Sequence, residues 1–300
     1  MIRHLLVPLD GSPLAESVLP AAANLAKKIN TDITLIHIIE KDAPEKIHGQ
    51  QHLTSPSQAK KYLESLEKLG IFKDINTKIH VHEEKVQNIP RSIAEHTVEL
   101  HQDLIVMCTH GSSGLHEMLF GSIAQQVISF GKKPLLLVNP LQKNLDKVCN
   151  FSNFLIPLDG NPEHEQAIDF ASELIKICGA GVHLLMAIPY FGNMSGEFTA
   201  ANRFLPGTTS KMMDMIVPDA MDYLEKVKKG LESSGIKVTA SATRDNPANA
   251  IIDTAKIIKI DLIILATHGT RGAEAFWEGS VTPKISKSSK IPLLLIPVNK

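Results

Sequence analysis

The sequence is poor in the features of disulfide-stabilised and membrane-spanning proteins. It has only three cysteines in 300 residues, and this odd number without metal-motif spacing disfavours both a disulfide framework and a zinc motif. No apolar run approaches the roughly 20 residues that a spanning helix needs, and the first residues, MIRHLLVPLDGS, do not resemble a signal peptide. We therefore predict a cytoplasmic protein without a membrane partner.

An excess of charge of either sign is also missing. The chain carries 31 Lys and Arg against 32 Asp and Glu, a formal net charge of -1. Proteins that bind nucleic acids usually have a basic excess, so we predict no nucleic-acid partner. The hydrophobic fraction of 43% is that of an ordinary globular protein, and the length accommodates two domains.

The sequence repeats itself once, with four motifs in the same order in each half. HLLVPLDGS matches NFLIPLDGN, KKYLESLEKLG matches MDYLEKVKKGL, QDLIVMCTHG matches IDLIILATHG, and KKPLLLVNP matches SKIPLLLIP. A period of about 150 residues indicates a domain duplication rather than a solenoid. We predict domains at residues 1–142 and 151–300, joined by a polar linker at 143–150. The second half also has an insertion, Tyr190–Val217, which we predict to be a loop with a short helix at Lys211–Ile216.

Within each half, apolar runs alternate with segments of helical periodicity. Ser12-Pro13 is a typical helix start, and Leu104–Met107 is a continuous apolar run typical of a strand buried on both faces. This alternation predicts an α/β fold with two tandem doubly wound domains, each an open five-stranded parallel sheet with helices on both faces. Such sheets bind ligands beyond the carboxyl ends of their strands, at the switch point of strand order.

Three features of the first half converge on that edge. Asp10 follows the first predicted strand, where a carboxylate can accept a hydrogen bond from a ribose hydroxyl or an adenine amino group; the alternative is that Asp10 only forms a turn. Gly111 and Gly114, after the fourth strand, allow the backbone to approach a ligand closely. Gly121 and Ser122 begin a helix, whose unpaired backbone amides suit a phosphate.

The second half repeats this arrangement after its own first and fourth strands. Asp159 corresponds to Asp10, and Gly269 corresponds to Gly111. Neither half has the glycine-rich loop and lysine of a P-loop, or a Gly-x-Gly-x-x-Gly after strand one, so both common nucleotide-binding loops are excluded.

This combination resembles the universal stress protein family in its tandem form. The family's ATP-binding signature is Gly, two residues, Gly, nine residues, Gly, and then Ser or Thr. Gly111 and Gly121-Ser122 fit its later positions, as do Gly269 and Gly279-Ser280. The resemblance implies a fold like that of the adenine nucleotide alpha hydrolases, a role in stress response, and ATP as ligand, either free or with Mg²⁺.

The resemblance also implies which residues contact the nucleotide. In the first half they are Asp10, Ile38, Thr109, His110, Gly111, Gly114, Gly121 and Ser122; in the second they are Asp159, Ala187, Thr267, His268, Gly269, Gly279 and Ser280. We interpret the two histidines as ligand-contacting or loop-positioning groups. We predict no catalytic residue and no metal ligand, and at most slow hydrolysis of ATP, since the sequence supplies no Walker lysine or acid arranged for phosphoryl transfer.

Departures from the family pattern keep an alternative open. The signature's first glycine is Cys108 in one half and Ala266 in the other, and a positive φ at that position would cost each on the order of 1 kcal/mol. A scaffold or interaction protein of the same family that has lost nucleotide binding is the alternative. Glu274 and Glu278 make the second loop the more acidic, so we expect the first half to be the better nucleotide site.

Four other polar residues invite interpretation. Asn88 and Asn246 stand where family members often have glycine before a helix, and asparagine tolerates a left-handed backbone. His80 and His82 lie on one face of a predicted strand, and we interpret them as surface residues.

The fifth predicted strands, Leu135–Val138 and Leu293–Ile296, are short and apolar. Exposed strand edges of this kind favour pairing with another strand. The resemblance implies that these strands join two domains across a pseudo-twofold axis. We predict an intramolecular pseudo-dimer, which leaves other surfaces for a homodimer.

Overall fold

The computed structural model describes residues 2–43, 46–47, 50–109, 122–140, 149–188, 206–268 and 281–298. The strands are β1 (His4–Pro8), β2 (Asp32–Glu40), β3 (Lys46–Ile47), β4 (Gln50–Gln51), β5 (Thr77–Val86), β6 (Leu104–Cys108), β7 (Leu135–Val138), β8 (Asn153–Leu158), β9 (Gly181–Ile188), β10 (Val238–Arg244), β11 (Leu262–His268) and β12 (Leu293–Val298). The helices are α1 (Pro13–Glu16), α2 (Leu19–Ile29), α3 (Pro56–Glu67), α4 (Ile89–Glu99), α5 (Ser122–Phe130), α6 (Pro162–Cys178), α7 (Pro206–Ser233), α8 (Pro247–Ile257) and α9 (Val281–Ser288), with a 3-10 turn at Gly70–Phe72. In these ranges, no helix has the length and apolarity to cross a bilayer.

Strands of both halves join in one sheet with the order β10-β9-β8-β11-β12-β7-β6-β1-β2-β5. Within each half all neighbouring strands of this sheet are parallel. The order in each half is fifth, fourth, first, second and third, which is a doubly wound topology. The separate pair β3–β4 is antiparallel and lies outside the large sheet.

The halves meet where β7 pairs antiparallel with β12. Leu135 lies opposite Leu295, Leu136 opposite Leu294, and Leu137 opposite Leu293. All six leucines are at most 1% exposed. The pairing gives each strand a second neighbour, so neither fifth strand is an open edge.

Helices cover both faces of the sheet. One hydrophobic cluster contains residues from α2, α3, α6 and α7, represented by Leu25, Leu63, Leu174 and Leu224. The other contains residues from α4, α5, α8 and α9, represented by Ile93, Val127, Ile251 and Ile285. The parallel strands and the two helical layers confirm the predicted α/β class.

The helix starts follow from local hydrogen bonding. Ser12 Oγ accepts from the Ala15 amide at 3.1 Å, and a proline occupies the first helical position after it. Asn88 and Asn246 act in the same way, accepting from Arg91 N at 3.0 Å and Ala248 N at 3.1 Å. Their φ angles are -112° and -60°, so both are caps and neither uses a left-handed backbone.

One predicted segment differs in part from the structure, and others lie outside the described residues. Helix α7 already begins at Pro206 and passes through Pro218, so the predicted loop was wrong from residue 206 onward except at Lys211–Ile216, where a short helix was predicted. Proline is typical of a first helical turn, whereas here the helix continues through it despite the missing amide hydrogen. Residues 189–205 and 141–148 lie outside the described residues, and the predicted domain and linker bounds stay predictions.

Candidate functional site

The order of strands reverses at one place in each half. From β1 the chain moves outward to β2 and β5, and then returns to β6 on the other side of β1. Leu5 pairs with Leu104 across this switch, and Phe154 of β8 pairs with Leu262 of β11 across the second one. Crevices beyond the carboxyl ends of strands at such a point are the usual ligand sites of doubly wound sheets.

Asp10 lies at the first switch point, two residues beyond β1. Its Oδ1 accepts a hydrogen bond from the Ser12 amide at 2.9 Å, while Gly11 takes a φ of +87° to complete the turn. No described residue donates a hydrogen bond to its Oδ2, and the residue is exposed. Asp10 therefore forms the turn with one oxygen and keeps a second oxygen for another donor.

Asp159 builds the same turn in the second half but is bound differently. Its Oδ1 accepts from the Asn161 amide at 3.0 Å, and Gly160 has a φ of +77°. Its Oδ2 lies 2.8 Å from His164 Nδ1, on the first turn of α6. Both carboxylate oxygens of Asp159 thus have partners within the chain.

A histidine that was not identified from the sequence contacts the chain directly before the Asp10 turn. His37 of β2 is 2% exposed, with Nδ1 2.7 Å from the Leu9 carbonyl oxygen and Nε2 3.2 Å from that of Leu53. Burial is the main reason why the pKa of His37 is lowered. The neutral ring has one N–H and donates to one of the two carbonyls. A lone histidine inside the apolar run ITLIHII was the available signal.

Ile38 and Ala187 occupy equivalent places near the carboxyl ends of β2 and β9. Ile38 pairs with His82 and is 7% exposed, whereas Ala187 pairs with Thr243 and is half-buried. Both strands are direct neighbours of the strand that carries the aspartate. Each residue thus supplies an apolar position next to its switch point.

Thr109 and Thr267 lie at the carboxyl ends of β6 and β11. The Thr109 amide donates to the Val138 carbonyl at 2.9 Å, and the residue is 3% exposed. Thr267 is 2% exposed, and its Oγ1 is buried without a hydrogen-bond partner among the described residues. A buried hydroxyl without a partner is unfavourable, and the predicted ligand contact of Thr267 stays a prediction.

The two residues that replace the signature's first glycine are ordinary strand residues. Cys108 pairs with Val138, and Ala266 pairs with Ile296. Neither has a positive φ. The strain considered for these substitutions therefore does not arise in this structure.

Much of the predicted phosphate-binding loop is not described. His110, Gly111, Gly114, Gly121, Gly269, Gly279 and Ser280 lie outside the described residues. Ser122 and His268 are described in their backbone only, at the start of α5 and the end of β11. Their roles stay predictions.

Each half has a tyrosine–glutamate hydrogen bond that was not recognised from the sequence. Tyr62 donates to Glu16 Oε1 at 3.0 Å, and Tyr223 donates to Glu165 Oε1 at 2.8 Å. Burial, followed by the adjacent carboxylate, raises the pKa of both phenols. Each pair joins two helices of its half, α1 to α3 in the first and α6 to α7 in the second. The repeated motif containing both tyrosines was the available signal.

The histidines of β5 form a cluster with a third histidine. The His80 and His82 rings lie 5.1 Å and 4.8 Å from the ring of His96, which is 3% exposed on α4. These residues pack between strand and helix, so their interpretation as surface residues was incomplete. Over the part of the chain that the structure describes, no group of three or more histidines, cysteines or acids is arranged to hold a metal ion.

Comparison with known proteins gives matches in both halves. The sequence model of the Universal stress protein family matches residues 1–139 and 150–297. Universal stress protein MJ0531 of Methanocaldococcus jannaschii is 26% identical over 163 residues, covering 53% of this chain and 89% of that protein. Universal stress protein YxiE of Bacillus subtilis is 26% identical over 150 residues, covering 49% of this chain and 99% of its own. A solved universal stress protein from Archaeoglobus fulgidus covers 99% of this chain and 97% of its own, with 16% identity and a TM-score of 0.68, a likeness of fold.

Proposed function

The chain belongs to the universal stress protein family, and on that premise we propose that it binds an adenine nucleotide, ATP, as a regulatory module of the stress response. The family match confirms the resemblance read from the sequence. The ligand and the role remain our proposal. The alternative is a scaffold of the same family that binds no nucleotide.

The position of Asp10 carries the proposal. Its carboxylate lies at the switch point of the first half, and its Oδ2 accepts no hydrogen bond from the described residues. A carboxylate oxygen in this position can accept from a ribose hydroxyl or from an adenine amino group. The alternative rested on the substitutions at Cys108 and Ala266, and neither residue has the positive φ that would make its side chain unfavourable.

The chain's other groups fit a nucleotide in defined ways. Ile38 offers an apolar surface for a base, and α5 begins at Ser122, where the first helical amides have no intrahelical partner. Such amides and the positive end of the helix dipole favour a phosphate. We propose binding with at most slow hydrolysis, because the sequence supplies no Walker lysine. We assign no residue to magnesium.

Calorimetric titration with ATP tests the proposal, using Asp10→Asn as the informative variant. Asparagine keeps an oxygen for the Ser12 amide but removes the charge. A hydrogen bond to a charged group contributes about 1.5–3 kcal/mol, so the affinity of the first site should fall roughly tenfold to a hundredfold.

Asp74→Asn is the matched control, because it makes the same chemical change before β5. This position lies beyond the amino ends of the strands, whereas Asp10 lies beyond their carboxyl ends. The control should leave ATP affinity unaltered. A folded wild-type protein that binds no ATP at millimolar concentration would contradict the proposal and favour the scaffold.

We further propose that the two halves act as an internal pseudo-dimer, with domains close to the predicted bounds. The antiparallel pairing of Leu135–Leu137 with Leu293–Leu295 supports this arrangement. Hydrogen exchange across β7 and β12 tests it in solution. A further homodimer would use other surfaces and would be detected by light scattering.

A further inference from the structure

We infer that the two nucleotide sites are unequal, because His164 contacts in the second half the carboxylate oxygen whose counterpart in the first accepts no hydrogen bond from the described residues. The inference rests on the proposed binding of ATP. It concerns the contact between the Asp159 carboxylate and the His164 ring, 2.8 Å from Oδ2 to Nδ1.

The two aspartate turns are otherwise closely matched. Asp10 and Asp159 each accept an amide two residues later through Oδ1, at 2.9 Å and 3.0 Å. The glycine that follows each aspartate has a positive φ, +87° and +77°. In both halves the aspartate follows the first strand, and this strand is the direct neighbour of the fourth. A difference in ligand affinity must therefore come from what surrounds the turns.

His164 is the difference that touches the carboxylate. It lies five residues after Asp159, and the residue five after Asp10 is Ala15, which has no polar side chain. The first turn of α6 fixes the position of His164, since its amide donates to the Asn161 carbonyl at 3.0 Å. The His164 side chain is 23% exposed and that of Asp159 is 58% exposed, so the contact is partly shielded from water.

A nucleotide that uses Asp159 must compete with this contact. The ribose or adenine donor would have to displace the imidazole from Oδ2 or accept a poorer geometry. At Asp10 no such exchange is needed, because a ligand donor replaces water. The first half is then the higher-affinity site, and His164 is the residue that sets the difference.

Variants of the full chain that exchange the residue types at positions 15 and 164 test the inference. Asp10→Asn weakens the first site, and adding His164→Ala to it gives the second site the residue found in the first. We expect ATP to bind the second site roughly tenfold more tightly in this double variant than in Asp10→Asn alone. If Asp10→Asn alone shows no binding, the addition should make binding appear.

The reciprocal change places a histidine beside Asp10. Ala15→His in an Asp159→Asn background should weaken ATP binding at the first site by a similar factor. Ile177→Ala, at an exposed position near the end of the same helix α6, is the control and should leave both affinities unaltered. A gain of affinity in the first experiment cannot come from partial unfolding, so it isolates the histidine contact.

The outcomes separate the inference from the function on which it rests. If wild-type protein binds no ATP, the proposed function itself fails. If ATP binds but His164→Ala leaves the second site unchanged, or Ala15→His leaves the first unchanged, the inference is overturned and the function stands. A loss of affinity in His164→Ala would make His164 a ligand contact and would also overturn the inference.

Discussion

Gly11 and Gly160 occupy the same turn in the two halves but have different surroundings. Both have positive φ, +87° and +77°. A Cβ at Gly11 would lie 3.0 Å from Leu53 Cδ1, whereas at Gly160 the nearest atom is Met186 Cε at 3.8 Å. Gly11 is therefore restricted by both backbone conformation and space, and Gly160 by backbone conformation alone.

Alanine at these positions should separate the two restrictions. We expect Gly160→Ala to lower the free energy of unfolding by about 1–2 kcal/mol, because alanine disfavours positive φ. Gly11→Ala should cost about 1 kcal/mol more, since the methyl group also crowds Leu53. Equilibrium urea unfolding measures both values.

Gly70→Ala is the control for these variants, because it has no positive φ and nothing within 4 Å of the added carbon. Its stability should stay within about 0.5 kcal/mol of the wild type. Equal losses for Gly11→Ala and Gly160→Ala would show that the contact with Leu53 adds no strain.

At this scale the sequence could predict the aspartates but not their partners. Asp10 and Asp159 are recognised because each directly follows a predicted strand. The contact of Asp159 with His164 depends on how the first turn of α6 follows Gly160, and side-chain reach across a turn is not visible in spacing. His37 was missed for a similar reason, since its two carbonyl partners come from separate segments, at Leu9 and Leu53.

Among the packed elements, β5 and α4 meet through histidines rather than through apolar side chains alone. His96 Nδ1 lies 2.7 Å from the Ser92 carbonyl oxygen, while its Nε2 lies 3.7 Å from Glu99 Oε2. The His80 ring is half-buried against this pair, and burial first, then His96, lower its pKa. Glu99 acts in the opposite direction, and His82 adds to the lowering.

This packing predicts a stability that falls in weak acid. When the folded pKa of a histidine lies below its unfolded value of about 6.5, the unfolded chain binds more protons in the interval between them. The contribution of His80 is then fully present above about pH 6.5 and is lost as the pH falls toward its folded value. We expect His80→Gln to reduce the loss of unfolding free energy between about pH 7.5 and 5.5. Urea unfolding at several pH values measures this slope.

His101→Asn is the control, because His101 is exposed and its φ of +51° suits asparagine. It should leave the wild-type slope in place. His37 and His183 also have pKa values lowered by burial, so His80→Gln should remove only part of the slope. An unchanged slope in His80→Gln would show that His80 does not contribute to the acid sensitivity.

The elements themselves were largely predictable from the sequence, whereas their long-range partners were not. Continuous apolar runs such as Leu104–Met107 and caps such as Ser12 are local signals. The partner of His80 lies on α4, the helix that follows β5 in the chain. This helix contacts the strand only when it packs back against the sheet, so the contact is not a local signal. The start of α7 at Pro206 was missed, and Pro218 lies inside this helix.

Across the whole molecule, the sheet has a protected centre and two open edges. β7 and β12 each have neighbours on both sides, and all four residues of β7 are buried. β5 and β10 each have one neighbour and are mostly half-buried or exposed. Backbone amides in a strand exchange with solvent only after its hydrogen bonds open.

We therefore expect native-state hydrogen exchange to be slowest near the centre and fastest at both edges. Amides of β7 and β12 should be protected to nearly the global unfolding free energy, and those of β5 and β10 considerably less. β1 is the internal reference, because its two parallel neighbours lie within one half and do not depend on the junction. Exchange of β7 as fast as that of β5, with β1 still protected, would contradict this expectation. The antiparallel pairing of Leu136 with Leu294 would then be absent in solution, and the two halves would be independent domains joined only by their linker.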